Sequence, residues 1–145
     1  MKIKFKKLTP DLMVSDVAKT VKFYTEKLGF KIAMLVPENK KAIGTSLADE
    51  KKYVYAMVSR DEVFVMFMRQ DVYGEDIPAL KGAPVGASVT FYCDVDNVSK
   101  LYDQFKEKRV DIAKDVSTTW YGMKEFYIKD CNGYILGFAE RAKPF

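Results

Sequence analysis

The sequence predicts an α+β fold built from two tandem βαβββ modules, and three observations carry this. A strand, an amphipathic helix and three further strands follow one another, and the same order returns later in the chain. A stretch rich in turn residues, 70–86, separates the two runs. A shift of 78 residues lays Asp16 on Asp94, Val17 on Val95 and Phe23-Tyr24 on Leu101-Tyr102. An internal duplication explains that match; the alternative is two unrelated α+β halves.

In the first module Leu8 to Val14 reads as a short strand, with Pro10 as its entry residue. Ser15-Asp16 supplies capping oxygens for a helix. Val17, Val21, Tyr24 and Leu28 recur at helical spacing and so share one face, and Gly29 provides the stop. Strands follow over Phe30 to Val36 and Tyr53 to Ser59. The polar turn Arg60-Asp61-Glu62 then leads into Val63 to Met68. Residues 70–86 hold three Gly and two Pro without sustained periodicity, which reads as a linker.

The second module opens with a strand over Ala87 to Cys93, and Asp94-Val95-Asp96 is placed to cap a helix. Val98, Leu101, Tyr102 and Phe105 form that helix's apolar face. Val110 to Ala113, Lys124 to Lys129 and Tyr134 to Glu140 read as strands. The last two are joined by Asp130-Cys131-Asn132-Gly133, where Asn-Gly suits the positive φ angles of a hairpin turn. The expected organisation is one domain over residues 1–145. Module one covers about 8–69, the linker about 70–86 and module two about 87–140.

Composition narrows the function. The chain has 145 residues, 48% hydrophobic and 30% charged, an ordinary globular balance. Its ten Phe, nine Tyr and one Trp exceed what a core of this size needs, so some are candidates to line a ligand pocket. The net charge of +4 is spread over both halves, the one dense run being Lys2 to Lys7, so nucleic acid is not an expected partner. No stretch is apolar enough to cross a bilayer, and no signal peptide is recognisable, so the expectation is a cytoplasmic protein without a membrane partner. Cys93, a candidate buried small hydrophobe, and Cys131, on the turn, are then expected to stay reduced. The chain contains no histidine. That removes imidazole as base, nucleophile activator and metal ligand, while carboxylates, Tyr, Lys and Cys remain.

Three segments resemble the vicinal oxygen chelate superfamily of glyoxalases, bleomycin-resistance proteins and extradiol dioxygenases. The first is Leu12 to Asp16 with Phe23-Tyr24 and Leu28-Gly29-Phe30. The second runs from Trp120 to Phe126 and into Asp130 to Tyr134, and the third is Gly137 to Glu140. Cys131 departs from the usual Pro of that turn, and Lys108-Arg109 ends the second helix without the usual Gly. The resemblance implies that each module rolls into a half-open sheet and that two modules form a barrel-like groove. It also implies a homodimer. Metal-dependent members place ligands on the first and last strand of each module. Those positions here are Thr9, Met66, one of Ala87, Ser88 or Val89, and Gly137. A thioether, hydroxyls and small apolar residues do not make a divalent metal site, so the expectation is no metal and no cofactor.

Strand alternation then nominates the groove-facing side chains. These are Asp11 and Met13 on the first strand, Phe64, Met66 and Met68 on the fourth, and Tyr92, Glu125, Tyr127 and Gly137 in the second module. Trp120 is added on a loop at the groove mouth. Each has a plainer reading. The Met and aromatic residues pack a core, Trp120 caps it beneath the Ser117-Thr118-Thr119 loop, and Asp11 and Glu125 are solvated or paired with lysines. Tyr53 and Tyr55 fit groove or dimer contacts equally. The function expected is metal-independent sequestration of a hydrophobic or aromatic small molecule, with Asp11 or Glu125 drawing any positive group. The alternatives are a lyase or isomerase working without the metal through Glu125, Asp11 or Tyr127, and a non-catalytic interaction domain with a filled groove.

Overall fold

Short-range hydrogen bonds set the ends of the elements in the computed structural model, which describes residues 2–40, 43–48 and 52–142. The chain divides into two compact units, Met1–Val21 with Phe30–Ala83 and Lys22–Gly29 with Pro84–Phe145. Each contains a four-stranded open sheet of the same design. In the first, β1 (Asp11–Val14), β4 (Val63–Arg69), β3 (Tyr53–Arg60) and β2 (Lys31–Pro37) lie in that order. In the second the order is β5 (Thr90–Asp94), β8 (Ile135–Arg141), β7 (Met123–Lys129) and β6 (Asp111–Thr118). The first strand of each sheet pairs in parallel with the fourth, and the other pairs are antiparallel. The expected α+β fold of two βαβββ modules is therefore present.

Helix α1 (Val17–Glu26) starts where expected: Asp16 Oδ1 accepts the Lys19 N–H at 3.0 Å. Gly29 ends the segment with φ 76°. Val17, Val21, Tyr24 and Leu28 are all buried. The end of the helix, from Lys22 onward, belongs to the second unit. There the Tyr24 hydroxyl donates to Asp130 Oδ2 at 2.7 Å. The other Asp130 oxygen accepts the N–H groups of Asn132 and Tyr134 at 2.8 and 2.9 Å, closing the β7–β8 turn. Gly133 takes the positive φ, 89°, while Asn132 does not, so the carboxylate organises this turn as much as the Asn-Gly pair does.

Several elements differ from expectation. β1 begins at Asp11, since Leu8 is exposed and the first ladder contact is Met66 N–H to the Pro10 carbonyl. β5 begins at Thr90, leaving Ala87, Ser88 and Val89 exposed outside the strand. Helix α3 (Val98–Glu107) is capped by Asn97, which accepts the Lys100 N–H at 3.0 Å, and not by the Asp94–Asp96 segment. The Val95 N–H still donates to Ala139 at 2.9 Å, which holds that segment against the sheet. β6 runs on to Thr118, so Ser117 and Thr118 are strand residues; its exposed, polar edge hides the alternation. Within residues 70–86, Gln70–Asp76 forms a short helix, α2, followed by a 3₁₀ turn at Pro78–Leu80. Seven residues are too few to show a period.

Alternation sorts each sheet into two faces. In the first, Leu12, Val14, Ala56, Val58, Val65 and Phe67 form the buried face. In the second, Phe126 and Phe138 stack at 5.3 Å, and Phe105 of α3 meets them edge-on at 6.0 and 5.4 Å. Cys93 is half-buried and Cys131 exposed, both as free thiols.

Two stability predictions follow from these ends. Arg109, after α3, takes the left-handed φ of 59° that glycine adopts without strain. Arg109→Gly should therefore raise the unfolding free energy by about 0.5–1 kcal/mol in urea titrations. Tyr24→Phe should lower it by about 1–3 kcal/mol by orphaning a buried acceptor. Burial pushes the Asp130 pKa up, and the Tyr24 hydroxyl opposes that by favouring the carboxylate. Without the hydroxyl the folded pKa rises further above its unfolded value. The loss should thus be largest above that pKa and shrink as pH falls through it.

Candidate functional site

In each unit one sheet face is buried against helix and core, and the side chains of the opposite face are those available to a ligand. On the first sheet that face is dominated by thioethers. The register sets Asp11, Met66, Met57 and Met34 side by side in one row, and Met13, Met68, Tyr55 and Val36 in the next. Five of the chain's seven methionines thus share one face. Directly opposed residues on neighbouring strands have Cβ atoms about 4.5–5.5 Å apart, so these flexible side chains form a continuous, deformable apolar surface.

Met34 reaches this row only through an irregularity in β2 between Ile32 and Met34, which reverses the strand's parity. Met34 was not expected, because an inserted residue defeats a period-two reading; Met57, on a regular strand, was not nominated either. Met13 is buried at 7% exposure, while Phe64, Met66 and Met68 are half-buried. The ammonium of Lys7 sits 3.5 Å from the centroid of the Phe64 ring, a cation–π contact at the far end of the face.

Asp11 is the polar exception. Its Oδ1 is buried and has no hydrogen-bond partner among the described residues. Burial pushes its pKa above the ordinary carboxylate range, and the nearby Asp76 charge adds to the shift. Burial also raises the Tyr55 pKa, with Asp11 as the second cause, which makes Tyr55 a neighbour of this carboxylate. The Asp11 backbone is held in turn: its carbonyl accepts the Tyr73 hydroxyl of α2 at 2.8 Å. Arg69, at the end of β4, bridges Glu38 and Asp71 at 2.6 and 2.7 Å, so that guanidinium already has two carboxylates.

The corresponding face of the second sheet is built from tyrosines. Tyr92, Gly137 and Tyr127 form one row, and Asp94, Ala139, Glu125 and Ser117 the next. A Cβ on Gly137 would come within 2.5 Å of the Tyr127 ring. The absent side chain is therefore what lets that ring lie across the strand, and the space over Gly137 holds Tyr127. Tyr92 and Tyr127 stand with ring centroids 6.3 Å apart, tilted by 47°. Glu125 is only 2% exposed, and its Oε2 accepts the Tyr92 hydroxyl at 2.5 Å. Burial, then Glu125, drives both phenols above the usual tyrosine range, so they remain hydrogen-bond donors.

Trp120 lies in the β6–β7 turn, which the Thr119 hydroxyl fastens by accepting the Met123 N–H at 3.0 Å. At 92% exposure it does not cap the core; its ring meets Tyr121 edge-on at 5.1 Å.

The positions at which the resemblance places metal ligands test poorly. The register sets Asp11 directly beside Met66 and Tyr92 directly beside Gly137. The first unit would offer a hydroxyl, one carboxylate and a soft thioether, and the second nothing from Gly137. Among the described residues no three His, Cys, Asp or Glu side chains cluster as a metal site. This donor set does not fit a divalent ion.

Known proteins place the fold. The family profile described as Glyoxalase/Bleomycin resistance protein/Dioxygenase superfamily matches residues 7–138. A glyoxalase/bleomycin resistance protein/dioxygenase from Nocardioides superposes with a TM-score of 0.73 at 15% identity, covering 100% of this chain and 89% of that one. TioX from Micromonospora sp. ML1 gives 0.65 at 17% identity, with 94% and 99% covered. The bleomycin-binding protein of Streptomyces verticillus, complexed with copper(II)-bleomycin, gives 0.60 at 19% identity, with 99% and 100% covered. At these identities the likeness is one of fold. No curated protein sequence matches the chain. With the profile spanning nearly all of the chain and both sheets built to one plan, the chain belongs to the glyoxalase/bleomycin resistance/dioxygenase superfamily.

Proposed function

We propose that this protein binds and sequesters a hydrophobic or aromatic small molecule without a metal, its primary contact being the methionine face of the first sheet. The observation that carries this is the buried, unpartnered Asp11 oxygen set among thioethers. An unmet acceptor in apolar surroundings costs free energy, about 1–3 kcal/mol for a buried group. A ligand with an apolar body and one N–H donor or cationic group satisfies it. Covering about 200 Å² of the thioether surface would contribute about 5 kcal/mol before the costs of association. A superfamily protein of the same fold that binds bleomycin supports the ligand class. The reading carries with it a homodimer and a reducing compartment in which both cysteines stay thiols.

A second reading uses the same carboxyl group. An acid with a raised pKa on an apolar face suits proton transfer, so a metal-independent lyase or isomerase with Asp11 as acid or base is the alternative. Product formation lost in Asp11→Asn would separate catalysis from sequestration.

Titration calorimetry with metal-free bleomycin and a panel of planar aromatic cations tests the binding reading. Saturable binding is expected, weakened about tenfold in Met66→Ala through roughly 1–2 kcal/mol of lost contact. Equal affinity in Met66→Ala and wild type would remove the methionine face from the site. A cationic ligand should bind less tightly as pH falls through the raised Asp11 pKa, because protonation abolishes the charge it pairs with. Asp11→Asn should flatten that pH profile; an unchanged slope would show that another group is titrating.

A further inference from the structure

The second sheet carries a different chemistry, and its parts are individually unusual. Glu125 is nearly inaccessible, yet among the described residues it forms no ion pair. Its hydrogen-bond partner is a phenol: Tyr92 donates to it at 2.5 Å, and Tyr127 lies close enough for the two groups to interact electrostatically. The side-chain ammonium of Lys124, next in sequence, reaches Ser99 on α3, away from the carboxylate. Two further basic residues stand at the margins of the face. Lys114 lies opposite Tyr127 on β6, and the Arg141 guanidinium donates to the Tyr121 carbonyl at 2.7 Å. The buried carboxyl group is thus met by an aromatic hydroxyl and, among the described residues, by no cation.

This arrangement selects among cations. A phenol that donates to a carboxylate gains electron density, which deepens the negative potential over its ring face. With the Tyr92 and Tyr127 centroids 6.3 Å apart, a cation placed between the two rings lies within about 6 Å of both. Tyr92 is 45% exposed, so its ring is open to an arriving ligand. A primary ammonium must exchange its water for hydrogen-bond acceptors, and the one carboxylate beneath is nearly inaccessible and already accepts the Tyr92 hydroxyl. A methylated or delocalised cation carries little hydration to lose and needs no acceptors.

We infer that the Tyr92–Gly137–Tyr127 row with Glu125 beneath it is a subsite for a poorly hydrated organic cation, a quaternary ammonium or a planar heteroaromatic cation. Gly137 is part of its construction, since any side chain there would push the Tyr127 ring out of place. The inference deepens the small-molecule reading by naming a ligand chemistry, but it rests on another sheet and fails separately from it.

The test compares benzyltrimethylammonium, benzylammonium and neutral neopentylbenzene by ligand-observed NMR titration on the full chain. The quaternary cation should bind at least fivefold more tightly than either of the others. Tyr92→Leu, at a half-exposed position, should cost it about tenfold. Glu125→Gln should cost it about fivefold while leaving neopentylbenzene unchanged. If Glu125→Gln does not fold, the Tyr92→Leu comparison decides alone. Equal affinity for the three probes would overturn the inference. So would benzyltrimethylammonium binding that survives Tyr92→Leu but is lost in Asp11→Asn, an outcome that leaves the methionine face as the binding site.

Discussion

The buried Asp130 carboxylate fixes the second sheet's working strands. One oxygen closes the turn between β7 and β8 through two backbone N–H groups, and the other receives the Tyr24 hydroxyl from α1. The register of β7 against β8 follows from that turn, and with it the placement of Tyr127 over Gly137 and of Glu125 beside Ala139. A slip of one residue would exchange Glu125 and Tyr127 for Phe126 and Ile128 on that face. The burial that raises the Asp130 pKa is tolerated because its hydrogen bonds offset much of the desolvation.

Both sheets use the same plan, in which one face is packed and the other is left to chemistry. The packed faces are alike, built from Val, Leu and Phe. The other faces diverge. On the first sheet, long thioethers cover the row positions and a single acid lies among them. On the second, small residues on β8 make room for tyrosines arriving from both neighbouring strands, and the buried acid accepts the hydroxyl of one of them, Tyr92. A duplicated fold can separate functions in this way because changes on the free face leave the packed face intact.

What the sequence made legible tracks how local the determining interaction is. The start of α1 at Asp16 and its stop at Gly29 are contacts within a few residues, and both were readable. So was the alternation that puts Phe64, Met66 and Met68 on one side of β4. The cap of α3 was misread because Val95 remains tied to Ala139, a partner far away in sequence. Met34 was missed because an irregularity in β2 reverses its parity, and nothing in a run of apolar residues announces it. Gly137 was nominated for this face by alternation alone. Only the ring of Tyr127, fixed by cross-strand register, shows that the space over it is used.

The charges argue most directly for ligands. The protein carries a net charge of +4, so a lysine or arginine partner for a buried acid is not scarce. Yet among the described residues Asp11 keeps an oxygen without a partner, and Glu125 is answered by the Tyr92 phenol. A fold under no constraint but stability would pair such acids or replace them with apolar residues of similar volume, often at no loss. Both acids lie on the unpacked faces, whereas the buried acid that serves the fold, Asp130, is fully engaged by hydrogen bonds from the turn and from Tyr24. Asp11 is then the acid whose burial the fold leaves unoffset among the described residues, a cost that Asp130 avoids through its turn.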